Sequence, residues 1–516
     1  MKKMNLLAMS LVSAAALSFS SCSNNDDLGG GAGTQSQVKG FYMTLAVQTP
    51  TSNGTRTALP DGTDKREDAT AVEAAVKNGT FYLVDANGSV VFSKTLTATD
   101  WAGASGAIKN PTTVAKDGKT TLKIEVENVA AGATYKVYFK AGSTPMDKVE
   151  PFTIKTGTSL PGIFTADGIK QVFTAQTCAV DNDFSMFNQN DATRDGNGYT
   201  VTFTNANKEG ADNFVPAEVK YDGKTAPIKI ERVTARVDVP TSASTLTKEA
   251  LPADASAALK KAVEDATKKV SKIELVQYAL SNVTNKTYVM QNWKKAESVW
   301  SLLIPDDATL SQTKTDFGEK YLFKNGGFKP LTGATNDYIF ENNKSDATAM
   351  YFEYKVTLDG NKFEGTADFT DGTFYRYNNV IYTSFTQILK AYADVAGLFD
   401  HKTAAQLQTE LKEAKTQPTA ATEKSVETKL SEFRAKYGIE VFNEGKTYYK
   451  QVITDKQLGK DVIQRNTIYR LNVNKIFNVG AQVPNGEIDK NGLFYLDVTV
   501  TVNPWVLNTQ NVTLGD

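Results

Sequence analysis

Leu493-Phe-Tyr-Leu-Asp-Val-Thr-Val-Thr-Val502 lies close to the C-terminal end of a 516-residue chain, and it decides how the rest is read. Leu496, Val498, Val500 and Val502 alternate with Asp497, Thr499 and Thr501. A period of two specifies a β-strand with one apolar face, because successive side chains leave the pleat on opposite sides. Asn485-Gly486 and Asn491-Gly492 supply turn chemistry ahead of it. A second apolar run follows Pro504, with Trp505, Val506 and Leu507, then Val512 and Leu514. Apolar strand at a chain end is unusual, since termini fray unless something ties them down. The pattern fits the last strand of the protein's own sheet, and it also fits a strand made for another molecule.

The other end bears on that choice. Phe41, Met43, Leu45 and Val47 alternate with Tyr42, Thr44 and Ala46, a second one-faced strand. It follows a flexible Gly/Ser/Thr/Gln tether at 29–37. Beyond it, Thr49-Pro-Thr-Ser-Asn-Gly-Thr-Arg56-Thr-Ala-Leu-Pro60 is a polar, turn-rich link with one basic residue. A trypsin-like protease would find extended, exposed backbone there. Burying four such side chains is worth roughly 1.5–3 kcal/mol each, so about 6–12 kcal/mol as an upper bound. A cut between Arg56 and Thr57 would free the strand and leave a groove of comparable apolar area. Such a groove needs a replacement strand. An uncut, ordinary first strand is the plain alternative.

Ahead of the tether, Met1-Lys-Lys gives a positive start, and Leu6 to Leu17 is an apolar core too short to span a bilayer as a helix. It ends in Ser18-Phe-Ser-Ser-Cys22, small residues directly before a cysteine. This resembles a bacterial lipoprotein signal, in which the peptidase cuts before the cysteine and the thiol carries diacylglycerol, with palmitate among the expected acyl chains. Phe19 stands where such signals usually have an aliphatic residue. An ordinary signal peptide with an incidental cysteine is the alternative. Ser23-Asn-Asn-Asp-Asp27 looks like the acidic surface-export tag of Bacteroidales lipoproteins. Since no later stretch is long and apolar enough to cross a membrane, lipid on Cys22 is the expected anchor.

Between the two ends, short strands and turns dominate. Thr80-Phe-Tyr-Leu-Val84 and Ser89-Val-Val-Phe92 flank Asn87-Gly88, a hairpin signal. Leu122, Ile124 and Val126 alternate with charged residues, as do Tyr135, Val137 and Phe139. Ile228 to Val239 reads as one longer strand region. A helix is expected over Ala253–Lys272, with Pro252 and Asp254 suiting its first turn, and strand over Lys272–Leu280. Further strands are expected at Met350–Val356, Thr373–Tyr377, Thr447–Tyr449 and Asn466–Val473. Ser384–Tyr437 reads as a helical insertion broken by Pro418. This text predicts a mainly β protein built of β-sandwiches, not a parallel α/β sheet. Length admits two to four domains.

Composition excludes more chemistry than it offers. Lys plus Arg (57) balances Asp plus Glu (58), so no basic field awaits nucleic acid or an anionic membrane surface. One histidine, His401, serves the whole chain, which excludes most His-based catalysis and multi-histidine metal sites. If Cys22 is lipidated, Cys178 has no disulfide partner, and no basic neighbour in sequence marks it as a thiolate nucleophile. Asp61, Asp64, Glu67 and Asp68 read as solvated charges in a link. Asp191–Gly198 has the wrong spacing for a calcium loop and Thr202 in place of the closing glutamate, so it reads as a turn. Asp181-Asn-Asp183 lacks metal-ligand company. No catalytic residue, metal site or cofactor is expected, and the chain does not read as an enzyme.

Several of these stretches together resemble the fimbrillins of Bacteroidales, the type V pilins. Towards the N-terminus they are the lipoprotein cysteine with its acidic tag, Tyr135-Lys-Val-Tyr-Phe139, Asp183-Phe-Ser-Met-Phe187 and Ile230-Glu-Arg-Val-Thr-Ala-Arg-Val237. Towards the C-terminus they are Tyr437-Gly-Ile, Gly445-Lys-Thr-Tyr-Tyr-Lys450, Ile463-Gln-Arg-Asn-Thr-Ile-Tyr-Arg-Leu-Asn-Val473 and Asn503-Pro-Trp505. Each is loose alone; their order is specific, and the helical insertion fits the branch that forms the shaft of short fimbriae. The resemblance implies two transthyretin-like β-sandwich domains in tandem, 57–283 and 284–516, with the insertion at 384–437. It also implies a signal peptide at 1–21 and a lipidated propeptide at 22–56, removed by an arginine-specific protease at Arg56, with Arg66 as the alternative. The groove vacated by Phe41, Met43, Leu45 and Val47 would then accept the 493–514 region of another copy. The implied partners are copies of itself, accessory tip and anchor subunits, and host or bacterial surface receptors, in a fimbrium serving adhesion, biofilm and virulence. The implied precursor is an outer-membrane lipoprotein. A monomeric surface lipoprotein, or a tip or anchor subunit acting as an adhesin, is the alternative.

Overall fold

Strand is the dominant element of the computed structural model. It describes residues 40–48, 67–69, 73, 76, 78–97, 108–109, 119–144, 172–173, 176–181, 183–190, 198–248, 251, 255–296, 299–311, 317–318, 322–323, 327–455, 458–484 and 496–507. The hairpin at Asn87-Gly88 forms as its sequence requires, joining Gly79–Val84 to Val90–Leu96. Asp85 accepts hydrogen bonds from the backbone N–H of Asn87 (2.9 Å) and Ser89 (2.8 Å), and Gly88 takes the left-handed φ of +81° that the turn needs.

This hairpin joins a sheet in which Tyr199–Thr202, Thr134–Ala141, Met186–Asn188, Ile228–Arg232, Phe41–Gln48 and Lys119–Val126 lie side by side in that order. Its apolar faces bury Phe81, Leu83, Leu122, Ile124, Val137, Phe139, Phe203 and Ile230 in one core. The alternations read at 122–126 and 135–139 are thus core positions, placed by the period of two.

The Ile228–Val239 region departs from expectation. It bends at Val233-Thr234 and serves two sheets. Ile228–Arg232 runs antiparallel to Met186–Asn188 in the first sheet. Ala235–Val237 sits between Asp337–Ile339 and Thr467–Ile476 in a second. The apolar alternation slips by one residue there, from Ile228 and Ile230 to Val233, Ala235 and Val237, so reading 228–239 as one strand passes over the bend. The bend turns Arg232 and Arg236 towards one shared partner, Glu73.

The second sheet runs Glu67–Ala69, Leu496–Leu507, Thr467–Ile476, Ala235–Val237, Asp337–Ile339. A third runs Lys329–Pro330, Val270–Ser281, Ala349–Leu358, Lys446–Val452. Val237, Leu471, Val473 and Ile476 of one share a buried core with Ile273, Tyr278, Phe352, Tyr354 and Val356 of the other, which is sandwich packing. The chain is therefore mainly β, with sandwich-like packing and a few helices.

Of these helices, Ala257–Lys269 begins later than expected. Ser256 caps it by accepting from the Leu259 N–H at 3.1 Å, and Leu259, Ala262, Val263 and Ala266 are its buried stripe. Pro252 and Asp254 lie outside the described residues. The insertion holds Phe385–Ala391, Ala404–Ala414 and Val426–Tyr437, capped by Ser384, Thr403 and Ser425. Pro418 falls between the latter two helices, where it can break no helical hydrogen bond. Phe385, Ile388, Leu407, Leu411, Leu430 and Phe433 give the insertion its own core, closed by Tyr375 and Val441 from the strands beneath.

Candidate functional site

Phe41–Gln48 is an interior strand. On one side it runs antiparallel to Lys119–Val126 in unbroken register from Phe41 opposite Val126 to Gln48 opposite Lys119. On the other it is parallel to Ala217–Glu218, through Met43 and Thr44, and to Ile228–Lys229, through Val47 and Gln48. Met43 and Leu45 are fully buried, and Phe41 and Val47 nearly so, all in the first core. Tyr42, on the opposite face, is buried too, which alternation alone does not foresee. Its hydroxyl donates to Glu209 at 3.0 Å, its ring meets Phe214 edge-on, and the Lys123 ammonium lies 4.8 Å from the ring centre. Burial, with the negative charges of Glu209 and Glu125, pushes the Tyr42 hydroxyl pKa up to about 12.

Leu496–Leu507 is one continuous strand across Pro504, where the sequence suggested two runs. It pairs antiparallel with Thr467–Ile476, from Ile476 opposite Leu496 to Thr467 opposite Pro504, with a bulge between Val473 and Lys475. Val498, Val500 and Val502 stand opposite the buried Val473, Leu471 and Tyr469. Along its other edge only Trp505, Val506 and Leu507 are paired, in parallel with Glu67–Ala69. From Leu496 to Pro504 that edge has no partner strand among the described residues. Proline cannot donate to a ladder and is confined to such edges, which is how Pro504 fits inside a strand.

The segment that meets the last strand is fastened to the body by charge. Four residues beyond Ala69, Glu73 is buried. Its carboxylate accepts from Arg236 Nη1 (3.0 Å) and from the Tyr338 hydroxyl (2.7 Å), and its carbonyl accepts from Arg232 Nε (3.1 Å) and Nη2 (3.0 Å). Arg232 also donates to Asn466 Oδ1 at 3.1 Å. Asp238 completes the cluster, accepting from Arg236 Nε at 2.7 Å and from Arg470 Nε at 2.9 Å. Burial depresses the Arg232 pKa to about 9, against the pull of Glu73. Burial also opposes the Arg236 charge, but Asp238 and Glu73 outweigh it and its pKa is raised. Losing one partner would leave a buried charge uncompensated, so the cluster is a rivet.

Glu73 is the residue that sequence reasoning missed. The available signal was two arginines four apart in an apolar strand, which demand buried acid, although nothing in sequence says where it comes from. Arg465, in the 463–473 stretch, is likewise paired with Glu341 at 2.9 Å with neither side chain exposed. These arginines serve the fold.

Of the remaining expectations, Cys22, Arg56, Thr57, Arg66, Val512 and Leu514 lie outside the described residues, as does 191–197. Cys178 is buried, and burial pushes its thiol pKa up to about 12, far from a reactive thiolate. Asp183 accepts from the Ser143 backbone N–H at 3.1 Å, a turn-holding role. His401 is exposed at the end of a short 3₁₀ turn. Among the described residues no helix is long and apolar enough to cross a membrane.

Residues 440–511, which include the whole last strand, match the family described as major fimbrial subunit protein type IV, fimbrillin, C-terminal. No curated protein matches the chain. Among solved structures, a candidate cell adhesion protein of Parabacteroides distasonis is similar at 14% identity and a TM-score of 0.41, covering 91% of this chain and 99% of its own. A fimbrial assembly protein of the same species aligns at 10% identity and a TM-score of 0.25, over 62% of this chain and 99% of its own. A candidate adhesin from Bacteroides ovatus aligns at 10% identity and a TM-score of 0.26, over 90% and 94%. At these scores the structural likenesses carry no argument of their own. The family match does: it bears out the fimbrillin resemblance for the C-terminal segment, and supports a fimbrial subunit or adhesin, a structural and not an enzymatic role.

Proposed function

We propose that this chain, with its fimbrillin C-terminal segment, is the precursor of a fimbrial shaft subunit that polymerises by exchanging strands. One observation carries the proposal: the first strand is paired along both edges, while the last, among the described residues, is paired along one edge from Leu496 to Pro504. Removing Phe41–Gln48 opens a slot between Lys119–Val126 on one side and Ala217–Glu218 with Ile228–Lys229 on the other. The slot is walled by the apolar core that Met43 and Leu45 now fill. Leu496–Leu507 can leave its place by breaking one full ladder and three residues of a second, fewer for its length than the ladders that hold the interior Phe41–Gln48 along both edges. Strand addition then repeats in the next copy, with backbone hydrogen bonds giving affinity and alternate side chains setting register.

The Glu73 cluster supports a cut upstream of it. A protease acting between Arg56 and Thr57 would release the lipid-bearing Cys22 and the first strand together, while Glu73 keeps the new N-terminal region pinned. Arg66 adjoins the Glu67–Ala69 strand, where extended chain is already engaged, and is the poorer substrate. The fibre so formed joins copies of this chain with tip and anchor subunits and presents them for adhesion.

N-terminal sequencing and mass measurement of subunits from purified fibres test the proposal. Thr57 as first residue is the expected result. Cys22 as first residue, still acylated, would show that the first strand never leaves.

A further inference from the structure

The slot filled by Phe41–Gln48 has a selective outer face as well as an apolar floor. Tyr42 on that face is only 3% exposed. Glu209 accepts from its hydroxyl at 3.0 Å, and Phe214 meets its ring edge-on. The Lys123 ammonium lies 4.8 Å from the Tyr42 ring centre and 4.5 Å from that of Phe214. Along the antiparallel ladder the outer positions Tyr42, Thr44, Ala46 and Gln48 stand opposite Glu125, Lys123, Thr121 and Lys119. A replacement strand that brings a phenol to the place of Tyr42 restores the hydrogen bond and both ring contacts.

Phe41-Tyr-Met-Thr-Leu-Ala-Val47 has a counterpart near the other end of the chain, Phe494-Tyr-Leu-Asp-Val-Thr-Val500. Phe-Tyr also stands at 81–82 and 374–375, so the pair alone selects nothing; the residues after it do. Laid in the slot residue for residue, Leu496, Val498 and Val500 fall on the floor positions of Met43, Leu45 and Val47, with similar volumes. Asp497 falls opposite Lys123 and Thr499 opposite Thr121, a charge pair and a hydroxyl pair of the kinds that stabilise ladders. Glu218, the acidic neighbour on the parallel edge, is exposed and already accepts from the Thr225 hydroxyl at 2.5 Å. Leu493 reaches the place of Gly40, where the atoms nearest a Cβ belong to the Glu125 side chain, which can swing. Pro504 lies past Gln48, beyond the ladder, and costs it no hydrogen bond.

Other registers fail on named residues. A shift by one exchanges floor and outer face. Setting Leu496 at Phe41 puts Asp497 in the Tyr42 place, a carboxylate against Glu209 and Glu125. Setting Val498 there puts Pro504 in the Val47 place, inside the ladder between Thr120 and Ile228. Setting Gly492 there leaves the Phe41 space in the core empty. We propose that residues 494–500 of one copy replace residues 41–47 of the next, position for position and in the same direction, with Tyr495 in the Tyr42 site and Asp497 opposite Lys123. This register rests on the strand exchange proposed above.

Paired cysteines in the full chain test it, with fibres grown after arginine-specific proteolysis and run on non-reducing gels. Directly opposite residues stand about 5 Å apart at Cβ, near disulfide reach, and diagonal ones about 7–8 Å. Asp497→Cys with Lys123→Cys is expected to give a ladder of covalently joined copies, and Thr499→Cys with Lys123→Cys to give none. A ladder from the Thr499 pair alone, or equal ladders from both, overturns the register and leaves strand exchange standing. No ladder from either pair, in fibres that do form, counts against strand exchange and takes the register with it. Should the cysteine chains not assemble, a charge swap decides. Asp497→Lys is expected to slow fibre growth tenfold or more, and Lys123→Asp in the same chain to recover most of that loss. Unslowed growth of Asp497→Lys, or no recovery in the folded double variant, overturns the inference.

Discussion

The first and last strands are alike in sequence and opposite in situation. Each alternates four apolar residues with polar ones, and each would be drawn as the same kind of strand. Phe41–Gln48 is bonded along both edges and fills the middle of a core. Leu496–Leu507 is bonded along one edge and, over its final three residues, part of the other. Unpaired strand edges are a hazard that proteins normally blunt. Leaving one along most of a long strand, in a protein whose first strand is interior, fits the proposal that strands change partners. Under the proposed exchange, where a strand sits, and not what it is made of, sets which one proteolysis must release and which one is donated.

The largest expected effect comes from deleting Leu493–Asp516. The chain should still fold and be exported, and no fibres should be seen by electron microscopy; abundant fibres would remove the last strand from assembly. Next is Glu73→Ala, which takes the carboxylate from Arg236 and the Tyr338 hydroxyl and the nearest negative charge from Arg232, while the residue-73 carbonyl and Asp238 remain. A loss of about 3–5 kcal/mol is expected in urea unfolding of the full chain. A loss below about 1 kcal/mol would show that the cluster behaves as a surface pair and pins nothing.

Leu45→Ala separates the two states of the molecule. It should cost the precursor roughly 2–5 kcal/mol, from lost burial and the cavity left behind. The mature fibre, having shed that strand, should resist denaturant unchanged. Equal weakening of precursor and fibre would mean that the strand is retained.

The smallest effect is a pH dependence away from both strands. Burial holds the Glu353 pKa above its unfolded value, with Lys446 and Tyr448 pulling the other way. A carboxyl raised in the folded state binds its proton more tightly there. Stability from this group is therefore full below the unfolded carboxyl pKa of about 4.3 and is lost as pH rises through the folded value. Glu353→Gln should melt above the unmodified chain near neutral pH, and the gap should close at about pH 4. A gap that does not change with pH would assign the effect to packing.

Much of the fold was legible because it depends on local periodicity. The alternations at 122–126, 135–139 and 350–356, the Asn87-Gly88 hairpin and the capped helices of the insertion lie where their residues put them. The bend at Val233-Thr234 was not read, although the apolar phase slips there from Ile230 to Val233; which sheet each half joins is set by distant strands. Neither was the continuity of the last strand through Pro504, because proline breaks a central strand and spares an edge, and edge is a property of neighbours.

By itself, then, the sequence determined that a strand stands near each end of this chain and that the body is mainly β. Those are consequences of period, composition and turn residues, which act over a few positions. Only the tertiary structure decided that one strand is interior and the other an edge, and that Glu73 rivets the chain between them. The parallel partners of the first strand and the countercharges of Glu73 come from residues more than a hundred positions away, and no local pattern can name them.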